Sequence, residues 1–238
     1  MLHQVGFFDS PRINGDQFDV LASALRQATS TTGDGLSLLV LPELFNLKEP
    51  YWPEKPRARA ERPKCFPAKD SLLALQDLAT AHNTTFICSL LADGFNEAYC
   101  VEPNSSVTLM CRKMNDDGSG NYTASVLCDP NNPLERDGMC IGALICLDAL
   151  DCREETPDAR GRRNRLLDTI CGSRQQHRIL CVPAHMSSHC MPGGASGITL
   201  IVASSGGLCS FVRSSAQKTL ATREHARDCP VCFVRAPW

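Results

Sequence analysis

The chain has 238 residues, 43% hydrophobic and 21% charged, which is enough apolar material to bury one sizeable core. Its 24 basic and 26 acidic side chains leave a formal net charge of -2, so no basic excess draws it to phosphate backbones or anionic lipid. Neither nucleic acid nor a membrane is expected as a partner. The sequence holds no secretory leader pattern and no run of about 18 apolar residues, and a single cytosolic (cytoplasmic) domain over residues 1–238 is the expectation. The 14 cysteines include Cys88, Cys111, Cys140 and Cys181 inside apolar runs, where a free thiol behaves as a small hydrophobe, so most read as reduced packing residues. Sequons at Asn83, Asn104 and Asn121 would matter only in a secreted chain.

In chain order, residues 2–9 read as a first strand, and Asp16 caps a helix with Phe18, Leu21 and Leu25 on one face. Gly33 and Gly35 break it. Residues 36–41, LSLLVL, form a second buried strand stopped by Pro42, with Glu43 the first charged residue beyond. Residues 46–69 are proline-rich, charged and without periodicity, which predicts a long loop serving as lid or rim. Asp70 starts a second helix, and residues 85–91 return as a strand, an alternation that favours an α/β fold. Residues 96–100 and 107–111 read as a hairpin around Pro-Asn-Ser-Ser, making the sheet mixed, with Arg112 and Lys113 directly at its end. Loops follow over 115–133.

The segment 138–150, GMCIGALICLDAL, is apolar from Met139 to Ile145, as a strand buried on both faces would be. Cys146 ends that run, so its thiol is expected at the carboxyl end of a strand, where open α/β sheets bind ligands. Asp148 then caps the next helix or joins the pocket wall, and the cap is preferred. A basic helix over 159–172 has Leu166, Leu167 and Ile170 as its apolar stripe; its charges, with His177, read as a solvated face and receive no role. Residues 178–183 form another buried strand, 197–204 and 209–212 a second hairpin, and 231–234 a last short strand.

Glu43, Lys113 and Cys146 thus stand at three candidate strand ends, and their chemistry fits together. A thiol attacks as thiolate, a nearby cation lowers its pKa, and a carboxylate takes the thiol proton and returns it to a leaving amine. The Lys113 ammonium also suits an oxyanion.

The chain at this point resembles the nitrilase superfamily of carbon-nitrogen hydrolases, through LVLPE at 39–43, CRK at 111–113 and GALICLD at 142–148. FNEA at 95–98 and VPAHM at 182–186 are weaker echoes, and the resemblance covers residues 2–212. It implies a four-layer α-β-β-α sandwich with mixed sheets, and a homodimer formed through the layers near the helix after Cys146. By the same resemblance Cys146 is the nucleophile, Glu43 the general base and Lys113 the oxyanion stabiliser. The backbone N–H of Leu147 is a second oxyanion donor, and His185 and Met186 contact substrate. The implied partner is a small-molecule amide or nitrile, the reaction passes through a Cys thioester, and no cofactor or metal is required. Amide is preferred over nitrile because amidase branches of the family are the more numerous.

The chain also departs from the family pattern. The second Glu usual beyond the Lys is missing from MNDDGSGNYTASVL at 114–127, and Asp116, Asp117 and Glu135 are the acidic residues that remain as substitutes. Ala149-Leu150-Asp151 stands where the family has an aromatic or Arg before Pro-Glu, and the helix bearing the Arg-Ala-x-Glu-Asn run is lacking between Met186 and Gly197. These departures support an alternative, a nitrilase-fold binding or scaffold protein with weak or no turnover. A third reading is a zinc-stabilised interaction domain built on His185, His189 and Cys190 with Cys229 and Cys232, because H-x3-H and C-x2-C are zinc-ligand spacings. The wide separation of the two pairs argues against it.

Overall fold

A computed structural model describes residues 4–9, 17–32, 36–48, 64–115, 133–149, 157–184, 197–204, 210–216, 218–222 and 230–235. In chain order the elements are β1 (Gln4–Phe8), α1 (Gln17–Thr32), β2 (Leu38–Val40), α2 (Ala68–His82), β3 (Thr85–Ala92), β4 (Phe95–Val101), β5 (Val107–Arg112), β6 (Leu134–Arg136) and β7 (Met139–Ala143). A single 3-10 turn (Cys146–Ala149) leads to α3 (Pro157–Gly172), β8 (His177–Ala184), β9 (Thr199–Ser204), β10 (Phe211–Arg213), β11 (Thr219–Thr222) and β12 (Val231–Arg235).

The strands form two six-stranded sheets, β12-β1-β2-β3-β4-β5 and β11-β10-β9-β8-β7-β6. Both are mixed. In the first, β1, β2 and β3 run parallel and β12, β4 and β5 join antiparallel. In the second, β7, β8 and β9 run parallel, with β6, β10 and β11 antiparallel.

Alternation along the strands sorts side chains into layers. Val5, Phe7, Leu38, Val40 and Ile87 point to an inner core shared with Ile141, Ala143, Ile179, Cys181 and Ile201 of the second sheet. Their neighbours Phe8, Leu39, Leu41, Phe86 and Cys88 point outward and pack on Leu21, Leu25, Leu75 and Ala79 of α1 and α2. On the other side, α3 lays Ala159, Leu166 and Ile170 against β7. The contact is close: a Cβ on Gly142 would lie 2.5 Å from Ile170 Cδ1. The result is α-β-β-α, as expected from the resemblance.

Local chemistry explains the joints. Asp93 and Gly94 between β3 and β4, and Asp137 and Gly138 between β6 and β7, all have positive φ, as two-residue hairpin turns require. The helix α2 begins at Ala68, so Asp70 lies within its first turn, and the helix ends on Asn83 in the left-handed conformation. β2 is shorter than residues 36–41, although Leu36 and Leu41 are also buried. β7 stops at Ala143, and Leu144 and Ile145 continue as fully buried chain into the 3-10 turn. The short strands β6 and β11 were not expected; each is half-exposed at a sheet edge and carries no apolar periodicity.

Of the long loop expected over 46–69, the described ends are pinned together. Leu47 and Cys65 form an antiparallel bridge, and the Asn46 side chain donates to the carbonyls of Phe66 and Leu91 at 2.9 and 3.0 Å. The Asp16 cap lies outside the described residues. No described helix is long and apolar enough to cross a membrane.

Candidate active site

Glu43 follows β2 on a backbone that crosses between the sheets, its N–H donating to the carbonyl of Ala184 in β8 at 3.2 Å. The next residue, Leu44, has φ of 54°, a conformation a bulky L-residue adopts only where its surroundings enforce it. Ser89 and Gln17 supply that enforcement. The Leu44 N–H donates to Ser89 Oγ at 3.3 Å, the Phe45 N–H to the Ser89 carbonyl at 2.8 Å, and Gln17 Nε2 to the Phe45 carbonyl at 2.6 Å. Phe45 wedges edge-on against Phe8 and Phe18. The turn carrying Glu43 is therefore anchored on β1, α1 and β3.

Lys113 leaves the end of β5, with its N–H donating to the Asn96 carbonyl at 2.8 Å. Its ammonium donates to Glu43 Oε1 at 2.6 Å, a pair whose side chains are 0% and 3% exposed. Asn96 Nδ2 donates to the same oxygen at 2.7 Å, and Ser89 Oγ donates to Asn96 Oδ1. The order of donors explains the orientation: because the Leu44 N–H occupies Ser89 Oγ, the Ser89 hydroxyl proton turns to Asn96, whose amide then faces Glu43 with N–H.

Cys146 opens the 3-10 turn with φ of 48° and is 5% exposed. A non-glycine residue in the left-handed region at a strand-to-turn junction is a strained placement of the kind that gathers at functional sites. Two residues on, Asp148 is fully buried and does not cap α3. Its Oδ2 accepts the Met114 N–H at 2.8 Å, and its Oδ1 accepts both the backbone and the side-chain N–H of Asn115 at 2.9 Å. The turn that carries Cys146 is thus bound to the residues immediately beyond Lys113. Burial lifts the Asp148 carboxyl to about 7, against the pull of those N–H donors and of Lys113.

Glu43 and Lys113 meet in a buried ion pair, and Cys146 is buried in the core cluster that also holds Met114, the residue after Lys113. Leu147 lies in the same 3-10 turn, directly after Cys146. His185 and Met186 lie outside the described residues, as do Asp116, Asp117, His189, Cys190 and Cys229. Ala184, just before His185, reaches the site through its carbonyl. Glu135 is far from any role on Lys113: it sits on β6 and accepts from Ser173 Oγ at 2.7 Å and Gln175 Nε2 at 3.2 Å. Cys232 is buried in β12 and directs its thiol to the Thr222 carbonyl at 3.7 Å, and among the described residues no cluster has the makings of a metal site.

Sequence reasoning missed two members. Asn96 was noted only as a motif echo, and Ser89 not at all; a polar residue inside the otherwise apolar run TFICSLLA was the available signal. The other described cysteines form no disulfide, and burial raises the thiol pKa of Cys65 to about 11, of Cys100 to about 12, and of Cys88, Cys111 and Cys181 further. Those thiols stay protonated at neutral pH and poorly nucleophilic.

No family model matches the sequence, and no curated protein sequence matches it significantly. Solved structures do match over nearly the whole chain. An amidase from Nesterenkonia sp. superposes with a TM-score of 0.66 at 17% identity, covering 99% of this chain and 90% of that one. A carbon-nitrogen hydrolase from Helicobacter pylori G27 gives 0.67 at 18% identity, covering 98% and 88%. A Saccharomyces cerevisiae member of branch 10 of the nitrilase superfamily gives 0.65 at 14%, covering 98% and 89%. A mutant of the Nesterenkonia amidase, similar at 0.64 and 14% over 99% of this chain and 90% of that one, shows covalent addition of the acetamide moiety of fluoroacetamide at its active-site cysteine. The fold of this chain is that of the nitrilase superfamily.

Proposed function

We propose that this chain is a hydrolase of the nitrilase superfamily that cleaves a non-peptide carbon-nitrogen bond of a small amide without a cofactor. The observation that carries the reading is the buried ion pair of Lys113 and Glu43, tied through Asp148 to the strained turn of Cys146. A buried ion pair costs desolvation free energy, and a strained nucleophile turn costs more; a chain that needed only stability gains little from either.

In the proposed reaction Glu43 takes the Cys146 thiol proton, and the sulfur attacks the amide carbon. The Lys113 ammonium and the Leu147 N–H hold the oxyanion that forms. Collapse of the tetrahedral intermediate breaks the carbon-nitrogen bond as Glu43 returns the proton to the leaving amine, which departs as ammonia or a small amine. Glu43 then deprotonates water, which attacks the thioester and releases the carboxylic acid and the thiol. With Glu43, Lys113 and Cys146 each at most 5% exposed, the site suits a substrate of few atoms. Cleavage of an amide is preferred to that of a nitrile, in keeping with the likeness to the Nesterenkonia amidase. A cytoplasmic homodimer is part of the same proposal.

A second reading keeps the fold and gives up the turnover. It is favoured by the position of Glu135, which leaves Lys113 without that substitute for the family's second Glu. The two are separated by limited iodoacetamide labelling at neutral pH followed by peptide mass spectrometry, together with ammonia release from acetamide and acrylamide. The enzyme reading expects Cys146 to label faster than the other thiols, and Cys146→Ala to remain folded with no ammonia release. Ammonia release unchanged in Cys146→Ala, or labelling of Cys146 no faster than of the other cysteines, overturns it.

A further inference from the structure

Resting on that reading, we infer that Asp148 is a positioning residue, whose carboxylate sets the distance between the Cys146 thiol and the Lys113 ammonium. Nucleophile and cation reach the site on separate strands of separate sheets, Cys146 after β7 and Lys113 after β5. Beyond the packing of the two sheets, Asp148 ties the chain that follows Cys146 directly to the chain that follows Lys113. Its backbone N–H closes the 3-10 turn on the Ile145 carbonyl at 3.0 Å, so the side chain is rigidly placed two residues from the sulfur. Its two oxygens then take three N–H groups from Met114 and Asn115, all within 2.9 Å.

The bonding is specific to a carboxylate. Oδ2 meets the Met114 N–H and Oδ1 meets both Asn115 donors, so an amide in this place would turn its own N–H against a backbone donor. The titratable groups that face Asp148 from the β5 side are Lys113 and Cys111; Cys146 shares its turn.

The electrostatic and the positional consequences of removing this carboxylate have opposite signs. Where the Asp148 carboxyl is ionised, above about pH 7, loss of its negative charge would by itself ease ionisation of Cys146, lowering the midpoint pH of alkylation. Loss of the bridge lets the Lys113 ammonium drift from the sulfur, raising the midpoint and slowing the reaction. A merely structural role lowers the melting temperature and leaves the midpoint where it was.

The test is the rate of Cys146 alkylation by iodoacetamide between pH 6 and 9, in the full chain and in Asp148→Asn. The expected result is a rate at pH 7 about tenfold lower, the scale of a sub-ångström misplacement of reacting groups, with the midpoint displaced upward. A midpoint unchanged or displaced downward overturns the inference. Should Asp148→Asn not fold, Asn115→Ala removes one of the three donors and keeps the charge; it is expected to slow labelling and raise the midpoint by a smaller amount, and an unaltered profile in that variant is equally fatal. If Cys146 of the unaltered chain shows no preference over the other thiols, the hydrolase reading falls and this inference with it. Preference retained alongside an unmoved Asp148→Asn midpoint removes the inference alone.

Discussion

The first and second sheets repeat one strand pattern: an edge strand antiparallel to the first of three parallel strands, then two antiparallel strands. β1, β2, β3, β4 and β5 correspond to β7, β8, β9, β10 and β11, and α1, between β1 and β2, to α3, between β7 and β8. Equivalent strand ends carry different chemistry. The end of β1 has Asp9, accepting from Ser210 Oγ at 3.1 Å, where the end of β7 has Cys146. The end of β2 has Glu43, where β8 ends in Ala184. The first half brings Ser89, Asn96, Glu43 and Lys113 into one buried polar network, while the second contributes the thiol and Asp148, its other buried polar residues, Ser173, Ser204 and Ser210 among them, bonding elsewhere. The fold supplies matching strand ends, and the residues placed there decide which become chemistry.

That contrast is open to attack by mutation. Lys113→Ala would leave the Glu43 carboxylate buried beside Asn96 without its cation, at a cost of about 3–5 kcal/mol in urea unfolding. A loss below about 1 kcal/mol would mean the first half does not depend on this pair.

In the second half the sensitive point is steric. Gly142→Ala drives a methyl to within 2.5 Å of Ile170 Cδ1, and overpacking of this kind costs about 1–3 kcal/mol. Ile170→Val in the same chain should return part of it; a double variant no more stable than the single one would show that α3 is not what limits this position.

The smallest effect is expected where the halves meet at their rim. Arg136 of β6 pairs with Glu102 beyond β4 and with Asp137 at 2.9 Å, but its side chain is 33% exposed. Water screens such a pair, and Arg136→Ala should cost at most about 1 kcal/mol. A larger loss would mark this rim contact as a clamp between the sheets.

Much of this was legible in the chain itself. Strands buried on both faces are continuous apolar runs, so β1, β3, β7 and β8 announce themselves, and amphipathic spacing shows α1, α2 and α3. Short edge strands such as β6 and β11 bury too little to leave a pattern. Two Asp-Gly pairs, at 93–94 and 137–138, are a local hairpin signal, and both take the positive φ that such turns need.

At the site, the sequence by itself determined which residue types stand at strand ends: Glu43 is the first charged residue beyond one apolar run, Cys146 closes another, and Lys113 follows a third directly after Arg112. Periodicity and run length are local properties, written in the order of residues. Only the tertiary structure decided the partners. Glu43 and Lys113 are 70 residues apart in the chain and 2.6 Å apart in space. Asp148, which by local rules should cap the helix after it, gives its carboxylate to backbone 33 residues upstream. The local rule lost because burial placed three unsatisfied N–H groups within its reach. Leaving even one of them without an acceptor costs about 1–3 kcal/mol, at least as much as a missing helix cap.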